Sequence, residues 1–403
     1  MRECDQKQKM KKKYSLKFVI TLMLIASALT WSAIYLIVGF PFGASSNRSD
    51  AVRDFAALLT RIDELYIGEY DNSDVADAAM RAAVEALGDE WSFYLTAAEY
   101  SRYLENSQNR YDGIGITVTT DEETGAIRIV SVFSGSAAEA AGLLPGNLLT
   151  AVDGESVVGF TVSELRSILL RPIGDSVELT VVRADDSVEI LTAVYSVVFL
   201  DPIYYELVED DIGYISISNF NQGSAKSFIS AVRSLLAQGA DAFIFDARGN
   251  PGGFVTEMTE MLDFLLPEGE IFITVDRSGE ETITYSGSDF QDLSAVVIVD
   301  RFSFSAAEYF AAMLREYDRA EIVGEQTTGK SRMQMTVRLP SGGALNISFA
   351  QYLTKNRVSL HDTGGVSPDH PVSLSDDERF LYYSGNLSLD SDPLIQKAIS
   401  LLR

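Results

Sequence analysis

Cysteine is nearly absent: the 403-residue chain has one, Cys4. It therefore cannot close an internal disulfide, and the body of the chain has neither a cysteine-based metal site nor a thiol nucleophile. Histidine is almost as scarce. The two, His361 and His370, both fall in His361-Asp362-Thr363-Gly364-Gly365-Val366-Ser367-Pro368-Asp369-His370. A Ser-His-Asp site would have to draw its base from that one segment. Neither residue belongs to a two-ligand helical motif such as H-E-x-x-H, so no metal and no cofactor is expected. Cations are in deficit, with 32 Lys+Arg against 58 Asp+Glu and a net charge of −26. Residues 1–17 carry +5, leaving −31 for the remainder. A surface that acidic repels phosphates, which argues against a nucleic-acid partner.

From Phe18 to Phe40 there is no charged residue, and Pro41 follows. A helix of that length spans roughly 34 Å, enough for a hydrocarbon core of about 30 Å. Lys7, Lys9, Lys11, Lys12, Lys13 and Lys17 precede it, so the positive-inside rule keeps the N-terminus cytoplasmic. A single-pass anchor in the cell membrane, with the rest extracytoplasmic, is the expectation. The run is longer than the h-region of a cleaved signal peptide.

Seven segments follow: a basic tail (1–17), the anchor (18–40), a linker (41–49), a helical region (50–110), a β-rich module (111–198), an α/β core (199–375) and a helical tail (376–403). Phe55, Leu58, Leu59, Ile62, Leu65 and Tyr66 recur at helix spacing. In the core, Ala242 to Asp246 and Ala295 to Val299 read as buried strands, each leading through a loop into a helix. Such repeats put reactive groups where strands end.

Three signals there could carry chemistry. Ser305 opens a helix directly after a buried strand, beside the free N–H of Ala306; an ordinary N-cap serine is the plainer explanation. Lys330 follows a turn, and to act as a base it must lose about 3 pKa units from its ordinary value. Gly252 and Gly253 could bring a backbone amide to a substrate carbonyl, or simply make a tight turn.

Their order along the chain resembles the carboxyl-terminal processing, or tail-specific, serine proteases. Asp246-Ala247-Arg248-Gly249-Asn250-Pro251-Gly252-Gly253 is similar to D-x-R-x-N-P-G-G. Asp300-Arg301-Phe302-Ser303-Phe304-Ser305-Ala306-Ala307-Glu308 is similar to D-R-x-S-A-S-A-S-E. Gly324-Glu325-Gln326-Thr327-Thr328-Gly329-Lys330 fits the run ending in the lysine. Leu87-Gly88-Asp89-Glu90-Trp91-Ser92-Phe93-Tyr94-Leu95 is similar to L-G-D-P-Y-S-x-Y, and Gly365-Val366-Ser367-Pro368-Asp369 to G-I-x-P-D. The resemblance implies Ser305 as nucleophile, Lys330 as base and Gln334 as the residue orienting it. Oxyanion donors would come from Gly252 or Gly253 and Ala306. With the transmembrane helix and helical arm read above, it implies an α+β multidomain fold with a PDZ domain and an α/β protease core of the crotonase/Clp-protease-like type. Ser331, beside the lysine, departs from the family's glycine.

Tyr111-Asp112-Gly113-Ile114-Gly115-Ile116 resembles a PDZ carboxylate-binding loop, and Ser136 to Asn147 the S-P-A-x-x-A-G-L-x-x-G-D signature. Such a loop holds a terminal carboxylate on successive N–H groups while the peptide adds to a sheet edge. Gly113, Ile114, Gly115 and Ile116 would form the loop, with Val162, Leu165 and Leu169 as an apolar wall. Protein tails are thus the expected partners. The 50–105 helices and the C-terminal helix, Asp392 to Leu402, could pair two copies. The rival readings are a catalytically inactive PDZ scaffold and a His-dependent hydrolase.

Overall fold

The computed structural model describes residues 46–403 apart from 122, 123 and 134. The expected basic tail, anchor and most of the linker lie outside the described residues. Among the described residues no helix is long and apolar enough to cross a membrane.

The described residues divide into two units, one ending at Ala76 and the other spanning Asp77–Arg403. The first holds helix α1 (Ser46–Leu65), and α2 (Asn72–Glu85) begins in it. The helix-spaced Val52, Phe55, Leu58 and Leu65 of α1 are exposed.

The second unit begins within α2 and continues into β1 (Phe93–Leu95) and α3 (Ala97–Ser107). Thr96 and Glu99 start α3 with reciprocal side-chain-to-backbone bonds. Strand β1 corrects the expectation of an all-helical 50–110 region. Tyr94 at its centre is 2% exposed, and that burial is won by pairing with a distant strand.

Next comes the β-rich module: β2 (Arg110–Gly113), β3 (Ile116–Thr120), β4 (Ile127–Val132), α4 (Ala137–Ala140), β5 (Leu148–Val152), β6 (Glu155–Ser156), α5 (Val162–Ile168), β7 (Ser176–Val182), β8 (Val188–Val194) and β9 (Ser196–Phe199). Its sheet runs β3-β4-β5-β7-β8, with β6 on β5. Alternating Ile127 and Ile129, and Val177, Leu179 and Val181, fill its core. Strand β2 pairs antiparallel with β9, Arg110 opposite Phe199, so the module enters and leaves through one ribbon.

The α/β core contains β10 (Ile203–Val208), β11 (Ile212–Ile217), α6 (Ser224–Gln238), β12 (Ala242–Asp246), α7 (Val255–Leu265), β13 (Gly269–Asp276), β14 (Glu281–Ser286), β15 (Ser294–Val299), α8 (Ala306–Glu316), β16 (Ala320–Gly324), β17 (Arg332–Arg338), β18 (Ala344–Leu353) and β19 (His370–Pro371). The tail adds α9 (Asp376–Tyr383) and α10 (Pro393–Leu402). The main sheet runs β10-β11-β12-β15-β16-β19 and is parallel from β11 onward. Its central strands are apolar on both faces because both are covered. Phe243, Phe245, Val297 and Val299 pack with α6, α7 and α8, whereas Ile244, Val296 and Ile298 pack with Leu394, Ile395, Ala398 and Ile399 of α10. That apolar face of α10 is therefore spent inside the chain, which removes it as a surface for pairing subunits. A second sheet, β1-β18-β13-β14 with β17 on β18, includes the residues just after the lysine turn.

Candidate active site

Three neighbouring parallel strands, β12, β15 and β16, end side by side, Asp246 opposite Ile298 and Val299 opposite Gly324. The glycine-rich loop leaves β12, Ser305 follows β15, and Lys330 follows β16. Parallel topology thus gathers segments far apart in sequence at one sheet end.

Ser305 is not an ordinary N-cap. Its φ of 61° and ψ of −121° lie outside the extended region that caps adopt, although Glu308 accepts its backbone N–H as the third residue of a capping box would. A non-glycine residue held there stores strain, as at the sharp strand-to-helix turn that presents a nucleophilic serine. Gly252, at φ 89°, permits the packing: a methyl group on it would lie 2.8 Å from Ser305 Cβ and 2.9 Å from Ala306 N. Fully buried Asn250 organises the approach. Its Nδ2 donates to the Ile217 carbonyl at 2.7 Å, its carbonyl accepts the Phe304 N–H at 3.1 Å, and its Oδ1 accepts the Gly252 N–H at 2.8 Å. That last bond occupies one expected oxyanion donor. The N–H groups of Gly253 and Ala306 have no partner among the described residues.

Glu308, fully buried in α8, joins the two sides. Its Oε2 accepts the backbone N–H groups of both Ser305 and Lys330, each at 2.9 Å. Its Oε1 accepts Gly329 N–H at 2.6 Å and Thr327 Oγ1–H at 2.5 Å. Burial pushes this carboxyl above its ordinary pKa, and the four donors pull the other way. The sequence placed Glu308 only within a motif; its position three residues past the helix start was the available signal.

Burial lowers the Lys330 pKa to about 8, against the opposing pull of Asp89 and Glu308. Its Nζ lies 4.6 Å from the ring centroid of Trp91 and 5.9 Å from that of Phe304. Among the described residues no hydrogen bond joins Nζ to Ser305. The Tyr352 hydroxyl, on β18, donates to the Lys330 carbonyl. Nothing in the sequence singled out Tyr352, and Trp91 stood in a motif without a role. Gln334 is not brought to the lysine: its Nε2 donates to the Arg332 carbonyl at 2.8 Å and Ser348 Oγ at 3.1 Å. The side chain of Ser331 is buried, 3.1 Å from Ser359 Oγ, and accepts the His361 N–H at 3.1 Å. The His370 ring lies 2.5 Å from the Glu321 carboxylate, and neither histidine ring bonds Ser305.

In the module, β3 is an edge strand beside α5. Gly115, at φ 90°, has Ser136 where a side chain would go, 2.2 Å from an added methyl group. Ile114 and Leu165 are 4% and 1% exposed, core residues rather than an open wall. Ile116 and Leu169 are half-buried against that core and Val162 is exposed, so these three border the edge. Gly113, at the end of β2, packs against the Tyr111 ring.

Residues 211–372 match peptidase family S41 and residues 128–183 match a PDZ domain. Carboxy-terminal processing protease CtpA of Bacillus subtilis is 27% identical over 388 residues, covering 95% of this chain and 82% of that protein. A carboxyl-terminal-processing protease of Synechocystis is 28% identical, covering 82% and 78%. An S41 protease structure from Bacteroides fragilis, 17% identical with a TM-score of 0.55, covers 84% of this chain and 92% of that one, a likeness of fold alone. Residues 211–372 are thus a peptidase family S41 domain, which makes the chain a serine-type endopeptidase, and residues 128–183 are its PDZ domain.

Proposed function

We propose that Ser305 and Lys330 form a catalytic dyad that cleaves protein tails delivered by the PDZ domain. The observation that carries this reading is the strained Ser305 turn, tied through Glu308 to a lysine in surroundings dry enough to lower its pKa to about 8. Neutral Lys330 would take the Ser305 Oγ proton as Oγ attacks the scissile carbonyl. The oxyanion would be met by the N–H groups of Gly253 and Ala306. Collapse breaks the C–N bond, the lysine's proton passes to the leaving amine, and water then frees the acyl group by the same route. Gln334 would serve the strand that carries the lysine rather than the amine.

A tail would add to the β3 edge, its carboxylate on the loop Gly113 to Ile116 and its last side chain between Ile116, Val162 and Leu169. The uncharged 18–40 segment, behind its lysine cluster, would hold the enzyme at the membrane with the catalytic part outside. The exposed apolar stripe of α1 is the surface on which two copies would pair.

Ser305→Ala and Lys330→Ala, assayed separately on an unfolded protein, test the dyad; full activity in either purified variant refutes it. The absent Ser305–Lys330 bond favours one rival, an inactive PDZ scaffold. Labelling of Ser305 by a serine-reactive probe excludes that rival.

A further inference from the structure

The amine of Lys330 is not idle where it sits. It lies over Trp91, with Phe304, the residue before the nucleophile, as a second ring, and the two ring centroids are 5.8 Å apart. Among the described residues it makes no hydrogen bond, so the aromatic faces are its partners. The turn carrying Trp91 is fastened to the protease sheet. Asp89 pairs with Arg332 at 2.7 Å, Ser92 Oγ accepts the Ser348 N–H at 3.0 Å, and Asn346 Nδ2 donates to the Trp91 carbonyl at 3.4 Å. Strand β1 then locks the turn against β18.

A ring face attracts an ammonium and has no such hold on a neutral amine. We propose that Trp91 is a positioning residue for Lys330: its ring holds the protonated lysine off Ser305, and loss of the proton to water releases the amine toward the serine hydroxyl. This rests on the dyad reading. The indole makes lysine position depend on lysine charge, so the resting enzyme is held inactive by its own base. The charged groups that act on the amine are Asp89, itself paired with Arg332, and Glu308; the Tyr352 hydroxyl is bonded to the lysine's carbonyl. Glu90 beside the turn, and His361 and Asp362 on the neighbouring loop, are exposed. Asp89 and Glu308 favour the cation, so the indole adds to their pull against burial.

The test is the pH profile of kcat/KM in the full chain. Trp91→Leu keeps the site apolar but removes the ring face, and should move the acid limb down by about one pH unit. Trp91→Phe should move it less. Trp91→Ala admits water and should move it up. A limb that stays put, or rises, in Trp91→Leu overturns the proposal.

Fluorescence gives a readout independent of turnover. Trp91 and Trp31 are the two tryptophans, so in a Trp31→Phe background the indole emission reports Trp91. It should titrate near the pH of the acid limb, and Lys330→Met should abolish the titration. If Lys330→Met is inactive and the parent's emission does not titrate, the proposal fails and the dyad stands. If Lys330→Met still cleaves, both fail.

Discussion

A carboxylate that accepts hydrogen bonds from a nucleophile's amide and a base's amide ties both to one small group. Replacing Glu308 with Ala would strand the amides of Ser305, Gly329 and Lys330 and the Thr327 hydroxyl. The expected loss is at least about 3 kcal/mol of stability, read from the urea midpoint, together with peptidase activity. Gly252→Ala should be more selective. Its methyl group would press on Ser305 Cβ and the Ala306 amide, so kcat should fall about 10²–10³-fold in a chain that still folds. The sign of the pH dependence follows from the lysine. With its pKa at about 8, the neutral base is the minor form below that value, so kcat/KM should fall about tenfold per pH unit on the acid side. Ser305, Lys330 and the glycines could be singled out because a strand, a loop and a helix start are local features, but each was weak alone and only the order of their motifs, through a family resemblance, gave them roles. Glu308's second allegiance, the commitment of the Gly252 amide to Asn250 and the stacking of Lys330 on Trp91 were not legible. Each depends on which neighbour the fold supplies.

Among the elements, β12 and β15 were readable as continuous apolar runs bounded by loops, because a parallel strand covered on both faces carries that pattern. Strand β1 was not readable. It is three residues long, sits among helical periodicities, and its partner Ala344–Asn346 lies some 250 residues away. The C-terminal helix was legible as a helix, but its use was not. Leu394, Ile395, Ala398 and Ile399 close the sheet face opposite α6, α7 and α8. Ile395→Ala should therefore cost about 2–5 kcal/mol in chemical unfolding, and a variant with unchanged stability would show that α10 is an ornament. Through Asp392, which caps α10 and pairs with Arg248 at 2.8 Å, the same helix also steadies the glycine-rich loop.

At the scale of the whole molecule, the PDZ domain interrupts the second unit: α2, β1 and α3 come before it and the α/β core after it. Its ends meet at the Arg110–Phe199 pair. Replacing residues 114–195 with a short turn should leave the core folded by circular dichroism. On the proposed reading, unfolded substrates with apolar and with charged C-termini should then be cut at equal rates, where the intact enzyme should separate them. The placement of β1 also bears on timing. The indole that covers Lys330 is held by residues near Asn346, and a chain emerging from its N-terminus makes the lid first and the ladder that seats it nearly last. A half-made molecule therefore has the indole but neither Ser305 nor Lys330 to set beneath it, so on the dyad reading it would have nothing to cut with, and the nascent chain would be spared.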